Sequence, residues 1–257
     1  MMRFASLGSG SGGNALLIEA GATRILLDCG FALSDVSARL IRLGVDPSEL
    51  DAIIVTHEHE DHGGGVARLA SRHDLPVYLT HGTLVALDAE RRAIPNAVLI
   101  DTSAPVAIGA IEARPYPVPH DAREPVQFVF SDGSARLGVL TDTGRPTPHI
   151  VRALSGVHAL VLECNYDPDM LAAGPYPPSL KSRIAGPMGH LANASAAELV
   201  EALDCCRLQH LIAAHLSEKN NAPALARAAL AQALDCEEDW IGVATQEEGF
   251  AWRQILP

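Results

Sequence analysis

The sequence predicts a mixed α/β fold in one domain spanning residues 1–257. Short apolar strand-like runs alternate with segments of helical spacing, and the centre of the chain is a succession of strands. No flexible linker or repeat of fixed period divides it. Met2–Leu7, Ala15–Glu19 and Thr23–Asp28 read as strands, separated by the glycine–serine turn Gly8–Gly13 and by Gly21. Ser34–Leu43 has the helical spacing of Val36, Leu40 and Leu43, with Ser34 as N-cap. Ala52–Thr56 is a short buried strand, Val66–Ser71 a helix after Gly63–Gly65, Val77–Thr80 a strand and Thr83–Arg92 a helix. Strands follow at Val98–Ile100, Val106–Ile108, Ile111–Pro115, Val126–Ser131 and Leu137–Thr141, with Asp132-Gly133 as a hairpin turn. Ile150–Leu154 is helical, Ala159–Glu163 a strand and Asp167–Gly189 a loop with short helical pieces. Ser195–Leu203 opens with the capping-box pair Ser195 and Glu198. Leu211–Ala214 is a strand, Ala222–Leu234 a helix, and Trp240–Ala244 and Gly249–Trp252 the closing strands.

Hydrophobic residues at 48% and charged residues at 19% describe a folded chain with a sizeable core, not a disordered one. No apolar run is long enough to span a bilayer, and the opening MMRFASLGSGSGGN lacks the apolar stretch of a signal peptide. The five cysteines (Cys29, Cys164, Cys205, Cys206, Cys236) are odd in number and lack disulfide-framework or zinc-site spacing, which reads as reduced thiols in a cytoplasmic protein. The formal charge of −12 argues at first against a nucleic-acid partner.

Gly8-Ser9-Gly10-Ser11-Gly12-Gly13 satisfies the dinucleotide pattern G-x-G-x-x-G, with Asp28 twenty residues beyond Gly8. The context fails. Such a turn must open a helix whose amides hold the pyrophosphate, and Asn14–Glu19 instead alternates and soon reaches Gly21. A hairpin turn remains, or one whose free amides, with Ser11 or Asn14, approach an anionic ligand.

The strongest chemical signal is Thr56-His57-Glu58-His59-Glu60-Asp61-His62, directly after a buried strand and before three glycines. Residues two apart in an extended segment share a face, so His57 and His59 can converge on one ion, and Asp61 and His62 can address a second. Imidazole with carboxylate suits zinc, manganese or iron. One short motif has too few ligands for two metals, so later residues must complete the set. His120, Asp142, His190 and His215 each stand at a strand end or loop, as befits a cleft outside a sheet edge. His73, His81, His149, His158 and His210 have no such setting and are assigned to structure or surface.

H-x-H-x-D-H after a strand, with later His, Asp and His at strand ends, resembles the metallo-β-lactamase superfamily. SLGSGSGGN, LLDCG, THEHEDHGGGV, VPHDAREPVQFVF, TDTG, LECNYDPDML, YPPSLKSRI, GHLANAS and AHLSEKNN resemble one branch of it, the YycJ/WalJ-type metallohydrolases, over nearly the whole chain. The resemblance implies a four-layer αβ/βα sandwich, the metallo-β-lactamase fold. It also implies two divalent metal ions and phosphodiester hydrolysis by a metal-bridging hydroxide, in a branch associated with DNA exonuclease activity. By position it places His57, His59 and His120 on one metal and Asp61, His62 and His215 on the other, with Asp142 bridging. Asp28 orients a ligand histidine or, equally, caps a turn. His190 contacts the phosphate or protonates the leaving oxygen. Ala192 departs from the serine usual in this branch, so no hydroxyl is available there.

Other branches match less well. His120 lacks the G-H-T-x-G context of lactonases and glyoxalase-type thioesterases, flavo-diiron proteins carry glutamate where His59 stands, and there is no cysteine ligand or export signal of a zinc β-lactamase. Ser9, Ser11, Asn14, Lys181, Arg183, Lys219, Asn220 and Asn221 are candidate phosphate contacts, or else ordinary surface and cap residues. The preferred function is a DNA or RNA exonuclease acting on a nucleic-acid end or single strand. The alternatives are a small-molecule hydrolase (a cyclic-phosphate or nucleotide diesterase, a lactonase or a thioesterase) and a non-catalytic metal-binding regulator.

The negative charge does not exclude a nucleic-acid substrate, because two divalent ions would add positive charge where the phosphate docks. It does limit nonspecific binding, since Lys181 and Lys219 are the two lysines of the whole chain and few cations can release counterions. Titration of long duplex DNA at physiological salt should therefore show weak binding; tight coating would contradict it.

Overall fold

A computed structural model describes residues 1–90 and 92–256. The first half carries β1 (Met2–Gly8), β2 (Ala15–Ala20), β3 (Thr23–Leu27), α1 (Leu33–Arg42), β4 (Ala52–Ile54), α2 (Glu60–Gly63), α3 (Val66–His73), β5 (Val77–Leu79), α4 (His81–Ala89) and β6 (Ala97–Leu99). The second carries β7 (Val106–Ile108), β8 (Ile111–Pro117), β9 (Val126–Ser131), β10 (Arg136–Leu140), α5 (Pro148–Leu154), β11 (Ala159–Glu163), α6 (Pro168–Ala173), α7 (Pro178–Ile184), α8 (Asn193–Ala202), β12 (His210–Ala214), α9 (Pro223–Leu234), β13 (Gly242–Val243) and β14 (Phe250–Ile255).

Among the described residues there are two seven-stranded sheets, ordered β14-β1-β2-β3-β4-β5-β6 and β13-β12-β11-β10-β9-β8-β7. Each is antiparallel at the hairpin end and parallel where helices cross over: β3 to β6 in one, β10 to β13 in the other. The two-residue period of a strand sorts its side chains between layers. Ile25 and Leu27 of β3, with Ala159 and Val161 of β11, enter the core between the sheets. Leu26 faces the outer layer of α1, α3 and α4 through Val36, Leu40, Leu69 and Leu87. Leu160 and Leu162 face α5, α8 and α9 through Ile150, Leu154, Leu199 and Leu230. The result is the four-layer αβ/βα sandwich.

Strand assignments shift by a residue or two, as element ends commonly do. The helix starts need correction. α1 begins at Leu33 and α8 at Asn193, so Ser34 and Ser195 fall inside the first turn and make no side-chain cap bond. Asn193 instead pairs its amide with Asn221 at 2.9 Å. The helix expected over Thr83–Arg92 is α4, capped by Thr80, whose hydroxyl accepts from the Thr83 N–H at 3.2 Å. Arg91 of that expected range, like Pro257, lies outside the described residues. The strand expected over Trp240–Ala244 is partly a 3-10 turn, Glu238–Trp240. The Asp132-Gly133 hairpin joins β9 to β10 with Gly133 at φ +88°, and Asp132 Oδ1 accepts from the Ser134 and Ala135 amides.

Phe128 is fully buried between the sheets and packs on Phe130 with ring centroids 5.8 Å apart. Phe128→Ala should cost about 3–5 kcal/mol of stability, read as a lower urea midpoint with an unchanged slope.

Candidate metal centre

The site is assembled from the carboxyl ends of strands in both sheets, the usual place for a cleft in an open α/β sheet. Asp28 follows β3, His57–His62 follow β4, Asp142 stands just past β10, Glu163 ends β11 and His215 follows β12. Asp28, Asp142 and His215 hold positive φ of 62°, 50° and 54°. That left-handed backbone, strained by roughly 1–3 kcal/mol per non-glycine residue, turns each side chain off its strand into the gap between the sheets. The crossing segments pack backbone to backbone. A Cβ at Gly30 would lie 2.0 Å from the Asp61 carbonyl oxygen, and one at Gly65 would lie 1.9 Å from that of Phe31, so both positions require glycine.

His57, His59 and His120 bring one nitrogen each to a common point. His57 Nε2 is 3.1 Å from His59 Nδ1, which is 3.2 Å from His120 Nε2. Asp61, His62 and His215 make a second convergence: Asp61 Oδ2 lies 3.5 Å from His62 Nε2 and 3.3 Å from His215 Nε2. Asp142 stands between them. Its Oδ2 is 2.7 Å from His62 Nε2, and its Oδ1 is 3.2 Å from His215 Nδ1 and 4.0 Å from His120 Nε2.

Hydrogen bonds behind the rings decide which nitrogen is free. The Asp28 carboxylate accepts from the Thr56 amide (2.8 Å), the Thr56 hydroxyl (2.9 Å) and His62 Nδ1 (2.8 Å). With its proton on Asp28, the Thr56 oxygen accepts from His57 Nδ1 at 2.9 Å. His120 Nδ1 donates to the Gly189 carbonyl at 3.0 Å. Each bond places the Nδ1 proton outward and aims Nε2 at the cluster, the arrangement that prepares a histidine for metal.

The donor set fits divalent ions. Three imidazole nitrogens at about 3 Å cannot all hydrogen-bond one another, since each needs a proton the others lack. Asp142 Oδ2 is buried and has no hydrogen-bond partner among the described residues, although His62 Nε2 is close by. A buried oxygen in that state points to an ion. Nitrogen and carboxylate donors at this density are those of zinc, manganese or iron sites.

Electrostatics supports the same geometry. Burial and the neighbouring His62 push the His57 pKa well below its usual value, leaving a neutral ring. Burial works to raise the Asp142 pKa, but His215 and His62 hold it well below the carboxylate range. Burial likewise opposes protonation of His190, yet its hydrogen bonds to the Asp142 and Glu163 carboxylates hold its pKa at about 11.

Glu163 is the residue that motif reading passed over. It is fully buried; its Oε1 accepts from His190 Nδ1 at 2.8 Å and His215 Nδ1 at 3.2 Å, and its Oε2 from the Thr143 amide at 2.8 Å. The available signal was a carboxylate ending the otherwise apolar run ALVLE.

A cleft of about 360 Å³ opens over the cluster, lined by His59, Asp61, Asp142, His190 and His215 and also by Ser11 and Arg183. Other candidate phosphate contacts are turned elsewhere. Asn14 is buried, with its amide 3.3 Å from the Asp61 carbonyl and 3.2 Å from His62 Nε2, so it braces that pair from behind. Ser9 accepts from the His215 amide at 2.9 Å and is likewise buried. Lys181 donates to the Ala172 carbonyl, Lys219 lies over the Tyr176 ring, and Asn220 is fully buried with its amide on Ser217. Asn221 is tied to Asn193 and the Cys164 carbonyl.

Two facing mixed sheets with a histidine–aspartate cluster at their strand ends define a metallo-β-lactamase-type protein. The family described as "Beta-lactamase superfamily domain" matches residues 23–216, and the chain belongs to it. Exodeoxyribonuclease YycJ of Bacillus anthracis is 34% identical over 94% of this chain and 92% of its own length. Exodeoxyribonuclease WalJ of Streptococcus pneumoniae is 28% identical over 94% of this chain and 91% of its own. Together these two relatives put the chain in the YycJ/WalJ branch. The metallo-beta-lactamase fold protein YhfI of Bacillus subtilis superposes with a TM-score of 0.76 over 99% of this chain and 100% of its own, at 17% identity, a likeness of fold.

Asp28→Ala removes the acceptor of three hydrogen bonds and frees the His62 ring. Metal affinity, measured by competition with a chelating dye, should fall about 10–100-fold while the fold is kept; unchanged affinity would show that Asp28 does not orient the ligand.

Proposed function

We propose that this chain is a metal-dependent nuclease that hydrolyses phosphodiesters at a DNA end or single strand, with RNA as the less favoured substrate. The observation that carries it is the pair of convergent donor clusters on either side of Asp142, whose Oδ2 is buried without a hydrogen bond. The names and near full-length match of YycJ and WalJ support the choice of substrate. His57, His59 and His120 would hold one divalent ion, and Asp61, His62 and His215 the other, with Asp142 between them. Zinc and manganese suit this set, with iron a third choice. Such ions supply Lewis-acid charge stabilisation and activation of water near neutral pH.

The remaining chemistry belongs to the chain. Glu163 and Asp142 accept a hydrogen bond from His190 Nδ1, which leaves Nε2 for the cleft. As an imidazolium, His190 donates there to a phosphate oxygen and supplies a proton to the leaving oxygen, where negative charge grows in the transition state. Asp61 and Asp142 fix the separation of the two clusters. Arg183 at the rim is the cation placed to meet the next phosphate along a strand. The chain acts as one domain, since both sheets contribute ligands. A cytoplasmic setting is supported by its free cysteines, and no described helix is long and apolar enough to cross a membrane.

End-labelled single-stranded DNA and RNA, incubated with the zinc- or manganese-loaded protein, test this reading. His57→Ala and Asp142→Ala should each lower hydrolysis by at least about 10³-fold while circular dichroism stays native. Full activity after metal removal, or activity confined to a lactone or thioester, would overturn it.

A further inference from the structure

The cleft has a second wall that the hydrolytic chemistry does not use. Beside His190, whose amide donates to the Ile184 carbonyl at 2.8 Å, it is lined by Tyr176, Leu180 and Ile184, from α7 and the turn before it. Tyr176 and Ile184 are half-buried against the cluster of Tyr166, Leu171 and Ala192, so this wall is anchored. Pro175, Pro177 and Pro178 flank Tyr176 and restrict the backbone that carries it. One ring face is turned outward, because the exposed Lys219 ammonium lies 5.6 Å over the Tyr176 centroid. Arg183 joins the wall to the ligand segment: its Nε is 2.7 Å from Asp121 Oδ2, and Asp121 Oδ1 is 3.4 Å from His120 Nε2.

We propose that Tyr176, Leu180 and Ile184 form a stacking shelf for the base of the terminal nucleotide. The proposal rests on the nuclease reading and adds what that reading leaves open, namely how an end is recognised. An outward aromatic face beside Leu180 and Ile184 binds any base by its π-face and reads no base edge. Arg183, which lines the same cleft, supplies a cation beside it for a flanking phosphate. A volume of about 360 Å³ is that of a small-ligand pocket, enough to seat a terminal nucleotide. The class of ligand is therefore a nucleic-acid terminus of any sequence whose last base leaves the stack to lie on this shelf.

Binding is read from short single-stranded oligonucleotides with 2-aminopurine at the 5′ or 3′ terminus and phosphorothioate at the terminal linkages, added to the zinc-loaded full chain. Wild type should quench the 2-aminopurine at one terminus. Tyr176→Ala should abolish the quench and weaken binding about tenfold, and Tyr176→Phe should keep both. An abasic terminus should cost wild type the same factor, with no further loss in Tyr176→Ala. Equal affinity of wild type for abasic and intact ends would overturn the shelf, and that arm needs no variant to fold. So would a Tyr176→Ala chain that quenches and binds as wild type does. Quenching with discrimination against the abasic end, but no cleavage of any unmodified strand, would instead overturn the nuclease reading and leave the shelf standing.

Discussion

Asp142 imposes the constraint that organises this protein. It is a carboxylate with 2% of its surface exposed, set between imidazoles from both sheets. A buried anion is tolerated only with cations or donors around it. Asp28 and Glu163 are as deeply buried, and Asp61 closes the ring. So many carboxylates so near one another would repel without positive charge among them. Histidinium can provide some of it, and divalent ions provide more. The orientation of nearly every polar group around the cleft follows from that requirement.

Support for the rings comes from outside the ligand set. The Thr56 hydroxyl donates to Asp28 and accepts from His57 Nδ1, so a single hydroxyl helps set two histidines, and Asn14 and Ser9 brace the segments bearing Asp61 and His215. The glycine–serine turn that imitates a dinucleotide loop thereby gains a different purpose. Its polar side chains point inward at ligand segments, and Ser11 alone among those discussed reaches the cleft.

How much could be read in advance depended on whether the cause was local. The order of strands and helices was legible because alternation and helical spacing follow from what each segment buries. The histidine–aspartate motif was legible because ligand types two residues apart at a strand end have few other uses. Glu163 was not, since a lone glutamate closing an apolar strand matters only once His190 and His215 arrive beside it from residues far along the chain. Asn220 looked like a surface amide near His215 and is fully buried, because the Asp167 amide docks on its carbonyl. Ser195 carried the spacing of a cap, but the Asn193–Asn221 pair starts the helix two residues sooner. Net charge misled in the same way, as a sum over the chain says nothing of a cluster that gathers cations.

The strand pairing also bears on how the chain comes into being. Met2 pairs with Ile255, so β1 gains one of its two neighbours only from residues far along the chain. Ligands are dispersed in the same manner, with His57 to His62 made early and Asp142, His190 and His215 late. Contacts of such sequence separation form slowly. A chain that has made only its early histidines can hold an ion through an incomplete set, and a fully enclosed one must await His215, far downstream. Metal capture and the pairing of β1 with β14 thus depend on contacts of the same long range.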